Sequence, residues 1–316
     1  MQKQIWLIGA GPMAIEYATV LKAQQTPFIT IGRGTQSATT FYDKTGLEVV
    51  PGGLEAFLKT KPVIPPKVIV ATGVETLFQN CLELIESGVK EILCEKPGGL
   101  NALQVKNLSE KAEQNSVKIY LAYNRRFYSS VKKAKEIILK DGGVSSFNFE
   151  FTEWAHVISP LVKAEGIKEN WFLANSTHVV DLAFYLGGKP KEICCFNAGG
   201  LAWHPAASIF TGAGISVEGT LFNYQANWEA PGRWAVEILT KNHRLYFKPM
   251  EKLQIQKTGS VQVEFVELDD SLDINFKPGL YLQTEAFLKN DFTEFISIHE
   301  QLSLMPIYNK MAGYTD

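Results

Sequence analysis

The sequence lacks the features that mark a membrane, a nucleic acid or an oxidising compartment. No apolar run reaches the ~18 residues that a bilayer span needs. No long block of like charge appears, and 31 basic against 33 acidic side chains leave a formal charge of −2. That balance argues against nucleic acid or an anionic membrane surface as a partner, since both call for a basic face. Cysteine is scarce: Cys81, Cys94, Cys194 and Cys195 include no CxxC pair, and the adjacent Cys194 and Cys195 make no disulfide framework. Reduced thiols in a cytoplasmic protein are the expectation. The first residues, Met-Gln-Lys-Gln-Ile-Trp-Leu-Ile-Gly, enter a strand pattern at once and leave no room for a secretory leader. Histidine is also sparse, and His156, His204, His243 and His299 lack metal-ligand spacing, so no metal is expected.

What is present suits a folded chain of about two domains, with 316 residues of which 46% are apolar. Short apolar runs alternate with amphipathic stretches through the first third. Strands are expected at Ile5–Ile8, Phe28–Ile31, Leu47–Val50, Lys67–Thr72, Ile92–Cys94 and Lys118–Ala122, with helices at Pro12–Lys22, Thr76–Ser87 and Leu100–Gln114 between them. This is the pattern of parallel βαβ units. After residue 122 the grammar changes. Phe147 to Glu153 alternates with period two, and further strand-like segments follow at Ser208–Phe210, Ile215–Asn223, Ala235–Thr240, Arg244–Phe247, Leu253–Gln256 and Gln262–Val266, before a helical stretch at Leu280–Leu302. The expected fold is α/β: a doubly wound parallel sheet over residues 1–122, then an α+β domain over residues 123–316 with a large, open, mostly antiparallel sheet.

Gly9-Ala10-Gly11-Pro12-Met13-Ala14 fits GxGxxA between a strand and a helix. Gly9 permits the tight turn, Gly11 lets the backbone approach a pyrophosphate, and Ala14 lets helix and strand pack closely. Pro12 is tolerated in the first helical turn. A phosphate there meets free N–H groups and the positive end of the helix dipole. Thr72, at the end of the fourth strand, belongs to the same expected dinucleotide site. Readers of NAD place an acid at the end of the second strand, whereas this chain has Gly32-Arg33-Gly34-Thr35. Arg33 suits a 2′-phosphate, with Thr35 or Ser37 adding hydroxyls; the plain alternative is a solvent-exposed loop arginine. NADP is therefore the expected cofactor, with NAD as the second choice.

Three further motifs fall into register. Glu95-Lys96-Pro97 follows a strand, Tyr123-Asn124-Arg125-Arg126-Phe127 follows the sixth strand, and His178-Val179-Val180-Asp181 opens a helix. With the glycine turn, their order and spacing resemble the Gfo/Idh/MocA family, which includes glucose–fructose oxidoreductase and inositol dehydrogenases. The resemblance spans nearly the whole chain. It implies a Rossmann nucleotide-binding domain followed by a substrate-binding and oligomerisation domain. It also implies hydride transfer between a nicotinamide and a carbinol or ketone of a sugar, sugar derivative or cyclitol. Lys96 corresponds to the family lysine that bonds the reacting oxygen, and His178 to the histidine used as acid–base or substrate anchor. Glu95 and Arg125 fall to the cofactor site, and Glu153, Asn175, Asp181 and Arg126 to the substrate. Without the resemblance, Lys96 reads as a surface lysine after a strand, and His178 as a structural residue of a first helical turn. Pro97 fixes a turn, and a cis Lys96–Pro97 bond is open to it, as for about 5–6% of X–Pro bonds.

One departure stands out. Many family members carry an Asp four residues before the histidine, where this chain has Ala174. Asn175 can anchor a hydroxyl but cannot accept a proton. Glu153 is the candidate replacement, because it continues the otherwise apolar row of Phe147, Phe149 and Phe151; the alternative is a strand that surfaces there. Asn175 or Ser176 suits the N-cap of the following helix. Asp181 lies one turn beyond His178 and can orient the imidazole or support the lysine. Of Arg125 and Arg126, one is expected to meet the cofactor or an anionic group of the substrate and the other to tie the domains together. Tryptophans such as Trp154, Trp171, Trp203, Trp228 and Trp234 are expected mainly in core or interface packing. Leu221, Phe222, Tyr224 and Trp234, at both strand parities, suggest an exposed apolar sheet face and hence a homodimer or homotetramer. Two other readings remain at this stage: a cofactor-binding sensor that has lost chemistry, and a lyase or hydrolase that oxidises its substrate transiently.

Overall fold

The opening apolar run forms β1 (Ile5–Ile8), buried along its whole length. There follow α1 (Pro12–Ala23), β2 (Phe28–Ile31), α2 (Thr35–Thr45), β3 (Val49–Val50), α3 (Gly53–Lys59), β4 (Lys67–Val70), α4 (Val74–Ser87), β5 (Glu91–Cys94), α5 (Ala102–Gln114) and β6 (Lys118–Leu121). These elements come from a computed structural model of the chain, which describes residues 4–314. All six strands are parallel, in the order β3-β2-β1-β4-β5-β6. Their apolar runs are continuous because both faces of the sheet are covered. The strand order reverses between β1 and β4, the topological switch point at which such sheets receive ligands. Helices α2 and α3 escape the sequence reading: α2 is polar and buries only Phe41, so it carries no apolar stripe.

By internal contacts the chain divides into two units, Met1–Asn124 with Ile274–Ser303 and Arg125–Asp273 with Leu304–Asp316. The sequence reading runs the second domain unbroken from residue 123; here residues 274–303 return to the first unit. The return is held by specific contacts. The Gln24 amide donates to the Tyr281 carbonyl at 2.9 Å, the Lys67 ammonium donates to the Phe287 carbonyl at 2.8 Å, and Tyr120 stacks on Phe292 at 4.2 Å. The single helix expected over Leu280–Leu302 is two helices, Leu280–Lys289 and Ile298–Ala312. Between them Asn290 turns the chain at φ +63, and Ile296–Ser297 adds an antiparallel strand beside β6.

The second unit contains α6 (Ser129–Lys140), β7 (Ser146–Glu150), α7 (Ala155–Ile158), α8 (Thr177–Gly187), β8 (Pro190–Ala198), β9 (Ile209–Ser216), β10 (Leu221–Asn227), β11 (Ala235–Leu239), β12 (His243–Phe247), β13 (Gln254–Lys257) and β14 (Val263–Phe265). They pair in the order β14-β13-β12-β11-β7-β10-β9-β8, antiparallel except for β7 with β10. Phe147, Phe149, Phe222 and Tyr224 line one face and meet Phe184 of α8 and one another. The expectation that Phe222, Tyr224 and Trp234 are exposed is therefore corrected: all three are buried. The outward face carries Leu221 at 63% exposure with Phe196 and Ile209, among polar neighbours such as Asn223 and Gln225. The strand expected over Ile215–Asn223 is the β9–β10 hairpin, turning at Gly219 with φ +86. All four cysteines are free thiols, Cys81 and Cys94 among them buried.

A second aromatic cluster closes around His204. Its ring lies 4.7 Å from Trp228, which stacks on Trp203 at 5.8 Å and touches Phe210 at 4.8 Å. His204 Nδ1 must donate to the Ala207 carbonyl (2.7 Å), so Nε2 accepts from the Tyr314 hydroxyl (3.0 Å). The neutral ring satisfies both bonds, and burial pulls its pKa below the ordinary value of 6.5. In the unfolded chain His204 takes up a proton below about pH 6.5, whereas the folded site resists it. The stability it contributes is thus complete above that pH and is lost as pH falls through its lowered folded pKa. The melting temperature should decline from about pH 7.5 to 5.5, with at most about 1.4 kcal/mol per pH unit traceable to this one proton. In His204→Gln the decline should be visibly shallower; an unchanged slope in differential scanning calorimetry would remove the assignment.

Candidate functional site

In the first unit the carboxyl ends of the parallel strands deliver the expected residues together. Gly9 follows β1, Gly32 and Arg33 follow β2, Thr72 follows β4, and Glu95 and Lys96 follow β5. The main chain extends the sheet to these points: Gly9 N–H bonds the Ile31 carbonyl (2.8 Å), Ala71 N–H the Ile8 carbonyl (2.8 Å) and Glu95 N–H the Val70 carbonyl (2.9 Å). Gly9 sits at φ +118, and a Cβ on it would lie 2.4 Å from the Ala71 carbonyl oxygen, so only glycine fits. Gly11 differs. A Cβ there would meet nothing within 4 Å, and Gly11 is the N-cap of α1 with no side chain capping the helix. The first turn of α1 thus presents open backbone donors, as an anion requires. Ala14 is buried against the strand side.

A cavity of about 700 Å³ lies over this turn, lined by Gly9–Met13, Gly32–Gly34, Ser37, Gly52, Gly53 and Ala71–Gly73. Arg33 is exposed and lies over Gly53, whose Cβ position is 3.5 Å from the Arg33 Cβ. The absence of an acid at Gly32 has a steric basis: a Cβ there would fall 2.8 Å from Val49 Cγ1 and 3.0 Å from Ala10 Cβ. Thr35 opens α2 just outside the cavity lining, while the Ser37 hydroxyl bonds the Gly34 carbonyl at 2.9 Å. The Thr72 hydroxyl accepts from the Asn80 amide at 3.2 Å. Residues that fit a dinucleotide are therefore in place: a steric glycine, an open glycine, a free helix start and a cation where NAD readers carry an acid.

Lys96 is buried, at 9% exposure, and its bond to Pro97 is cis. Glu95 beside it accepts from the Tyr17 hydroxyl at 3.2 Å. Burial pushes the Glu95 carboxyl above its ordinary pKa, against the pull of the Lys96 ammonium and the Tyr17 hydroxyl.

In the second unit the decisive residue is Glu153. Strand β7 ends at Glu150, yet Glu153 does not surface; it is 1% exposed. Its Oε1 accepts from the Asn175 amide at 2.9 Å and the Ser176 hydroxyl at 2.8 Å, and its Oε2 lies 3.4 Å from Arg233 Nη1. Asn175 and Ser176 therefore do not cap α8. They belong to a π-helical turn, Phe172–Ser176, and Ser176 at φ −65, ψ −24 is already helical. An N-cap needs extended backbone and a free side-chain oxygen; both residues are committed to the carboxylate instead. His178 follows in the first turn of α8, half-buried, with its ring 6.2 Å from Trp234.

Adjacent arginines diverge. Arg126 lays a two-pronged bond on Asp181, Nε to Oδ2 at 2.8 Å and Nη2 to Oδ1 at 2.6 Å, with Asp181 at 1% exposure. Asp181, expected beside the imidazole or the lysine, thus receives a guanidinium. Arg125 stacks on Trp234 at 4.7 Å, and Arg233 stacks on the same ring at 4.6 Å and on Trp154 at 4.7 Å. Burial lowers the Arg125 pKa, and Arg233 adds to the effect. Sequence reasoning missed Arg233 altogether. The available signal was an arginine beside a tryptophan in Gly232-Arg233-Trp234, immediately before β11. Among the described residues, no group of three or more His, Cys, Asp or Glu side chains could hold a metal ion.

The two units in this order form the fold of known dinucleotide-binding oxidoreductases. UDP-N-acetylglucosamine 3-dehydrogenase from Acidithiobacillus ferrooxidans matches at 16% identity and TM-score 0.73, over 98% of this chain and 96% of that one. Levoglucosan dehydrogenase, solved with NADH and L-sorbose, matches at 17% and 0.77, over 98% and 96%. An oxidoreductase from Agrobacterium radiobacter, solved with NAD+, L-tartaric acid and magnesium, matches at 12% and 0.78, over 98% and 95%. No family model and no curated protein matches the chain by sequence. None of the described helices is long and apolar enough to cross a membrane.

The two glycines of the turn should separate folding from binding. Gly9→Ala must move backbone and should cost roughly 1–3 kcal/mol or more of stability. Gly11→Ala should leave the melting temperature nearly unchanged and weaken dinucleotide binding by at least about tenfold, through lost backbone approach. Thermal melting and NADH or NADPH fluorescence titration read the two effects. Equal destabilisation by both, or full binding in Gly11→Ala, would contradict the geometry.

Proposed function

We propose that this protein is an NAD(P)-dependent oxidoreductase of the Gfo/Idh/MocA type, acting on a carbinol or ketone of a sugar, sugar derivative or cyclitol. The observation that carries the reading is the GxGxxA turn at the switch point of a 3-2-1-4-5-6 sheet, with buried Lys96 at the end of β5. The sugar-derivative substrates named for two of the structural neighbours support the substrate class. A bound nicotinamide supplies or takes the hydride. Lys96 donates to the reacting oxygen, because hydride loss makes that oxygen a carbonyl and the reverse makes it an alkoxide, and an ammonium stabilises either. His178 takes or returns the hydroxyl proton, for which a pKa near neutrality is suited. Glu153 supplies, through Asn175 and Ser176, the carboxylate that Ala174 withholds, which favours an active enzyme over a silent sensor.

The outward face of the β7–β14 sheet, with Leu221, Phe196 and Ile209 exposed, supports assembly of like subunits through it. Four free thiols support a reducing compartment, the cytoplasm.

The reading is tested by mutant kinetics on a substrate drawn from a panel of sugars, cyclitols and sugar nucleotides. Lys96→Ala should lower kcat by about 10²–10³ and leave the cofactor Kd within a few-fold. His178→Ala should lose about 10²–10⁴. Because both act on one oxygen and its proton, the double variant should be far less impaired than the product of the two. Near wild-type kcat in Lys96→Ala would make the lysine structural.

Cofactor choice falls to Arg33 in this reading. A charge-assisted bond is worth roughly 1.5–3 kcal/mol, so Arg33→Ala should weaken NADPH by about 10- to 150-fold and change NADH little. Equal losses for the two cofactors, or a wild-type preference for NADH, would assign Arg33 to the solvent.

A further inference from the structure

Arg125 is a chemical anomaly of the second unit. Its buried Nε has no hydrogen-bond partner among the described residues, and no carboxylate there comes within ion-pair distance of its guanidinium. What it has is aromatic: Trp234 at 4.7 Å and Tyr128 at 5.9 Å. Cation–π contact recovers only part of what a cation loses on leaving water. Its neighbours contrast with it. Arg126 is matched by Asp181, and Arg233 reaches Glu153. Glu251 and Glu153 act on Arg125 through space without bonding it, and Arg233 opposes its charge.

The surroundings are those of a ligand site rather than a defect. Trp234 is shared by Arg125, by Arg233 and by His178, whose ring is 6.2 Å from it. Trp234 Nε1 is also buried without a partner. A stacked guanidinium has its plane fixed, and with its Nε–H closed to solvent the two Nη groups remain as an end-on fork. That fork matches the two oxygens of a carboxylate. The Glu153 carboxylate in the same cluster disfavours a dianion more than a monoanion, which selects carboxylate over phosphate.

We propose that Arg125 anchors a carboxylate carried by the substrate, so that the natural substrate is a sugar acid or related polyhydroxy acid rather than a neutral sugar. This rests on the oxidoreductase reading for the identity of the ligand as substrate, and it replaces the cofactor contact expected for Arg125 from the sequence. Neither Arg126 nor Arg233 serves instead, since each already faces a protein carboxylate.

The test is equilibrium binding by calorimetry to the full chain with NADH or NADPH present, using matched probes. D-glucuronate is set against D-glucose, D-galacturonate against D-galactose, D-gluconate against D-sorbitol, with glucose 6-phosphate as the phosphate arm. At least one acid should bind roughly 10- to 150-fold more tightly than its neutral partner. In Arg125→Gln that ratio should collapse toward one, and Arg125→Lys, which keeps the charge but not the fork, should restore it in part. Failure of every acid to bind, parity or inversion within all pairs, or an undiminished ratio in Arg125→Gln would overturn the proposal. Preference for glucose 6-phosphate over glucuronate would overturn the carboxylate in favour of a phosphate. Wild-type protein alone decides the first two outcomes, so the proposal does not depend on the variants folding. Turnover of neutral sugars without acid binding leaves the oxidoreductase reading standing and removes this one. Acid binding that depends on Arg125, with no turnover of any probe, does the reverse.

Discussion

A carboxylate removed from water must be bonded, and the second unit is arranged around that demand at Glu153. At 1% exposure it recruits an amide, a hydroxyl and a guanidinium. Each recruit has a structural consequence. Asn175 and Ser176 turn inward from a π-helical segment, which inserts extra chain ahead of α8 and sets where His178 begins its turn. π-turns are rare and recur at functional sites because they re-aim side chains at little cost in hydrogen bonds. Arg233, drawn toward Oε2, is laid over Trp234 and Trp154. Removing the carboxylate would release all three recruits at once, whereas removing one recruit leaves the charge with the others.

The first unit solves its problem with backbone rather than side chains. Parallel pairing brings the ends of β1, β2, β4 and β5 to one edge. The residues there are chosen for size: no Cβ fits at Gly9 or at Gly32, and the space beside Gly11 is open. The steric limit at Gly32 also explains a chemical one. With Val49 packed against that position, an acidic side chain has nowhere to stand, and the next residue, Arg33, projects a positive charge over the cavity instead. The residue types at the end of β2 thus follow from how β3 packs on β2.

Much of this is legible in the sequence, and the boundary of legibility is physical. The parallel sheet is readable because its strands are buried on both faces and its turns need glycine. The antiparallel sheet is readable in outline from period-two alternation. Glu153 is readable as an acid continuing an apolar row. What is not readable depends on contacts distant in sequence. The return of residues 274–303 to the first unit rests on pairs such as Lys67 with Phe287, which no local period encodes. Asn175 and Ser176 read as caps because they sit before an apolar helix, and only the buried partner 22 or 23 residues away changes their role. Phe222 and Tyr224 look exposed because strand parity alone does not say which face α8 covers.

Arg125 and Arg126 show how far local geometry divides identical chemistry. They are consecutive in a 3-10 turn, Asn124–Phe127, whose three residues per turn aim neighbouring side chains about 120° apart. One reaches Asp181 and closes its charge within the protein. The other reaches rings. A buried ion pair contributes modestly to stability but fixes geometry, since breaking either half strands the other. A half-buried guanidinium over aromatic rings has no such closure, and cation–π contact returns only a handful of tenths to about 2 kcal/mol against the part of its hydration that it loses. Stability alone would therefore favour a neutral side chain of similar shape at position 125. That is the ground on which the charge at position 125 is assigned, in our proposal, to a ligand that brings the missing half of the pair.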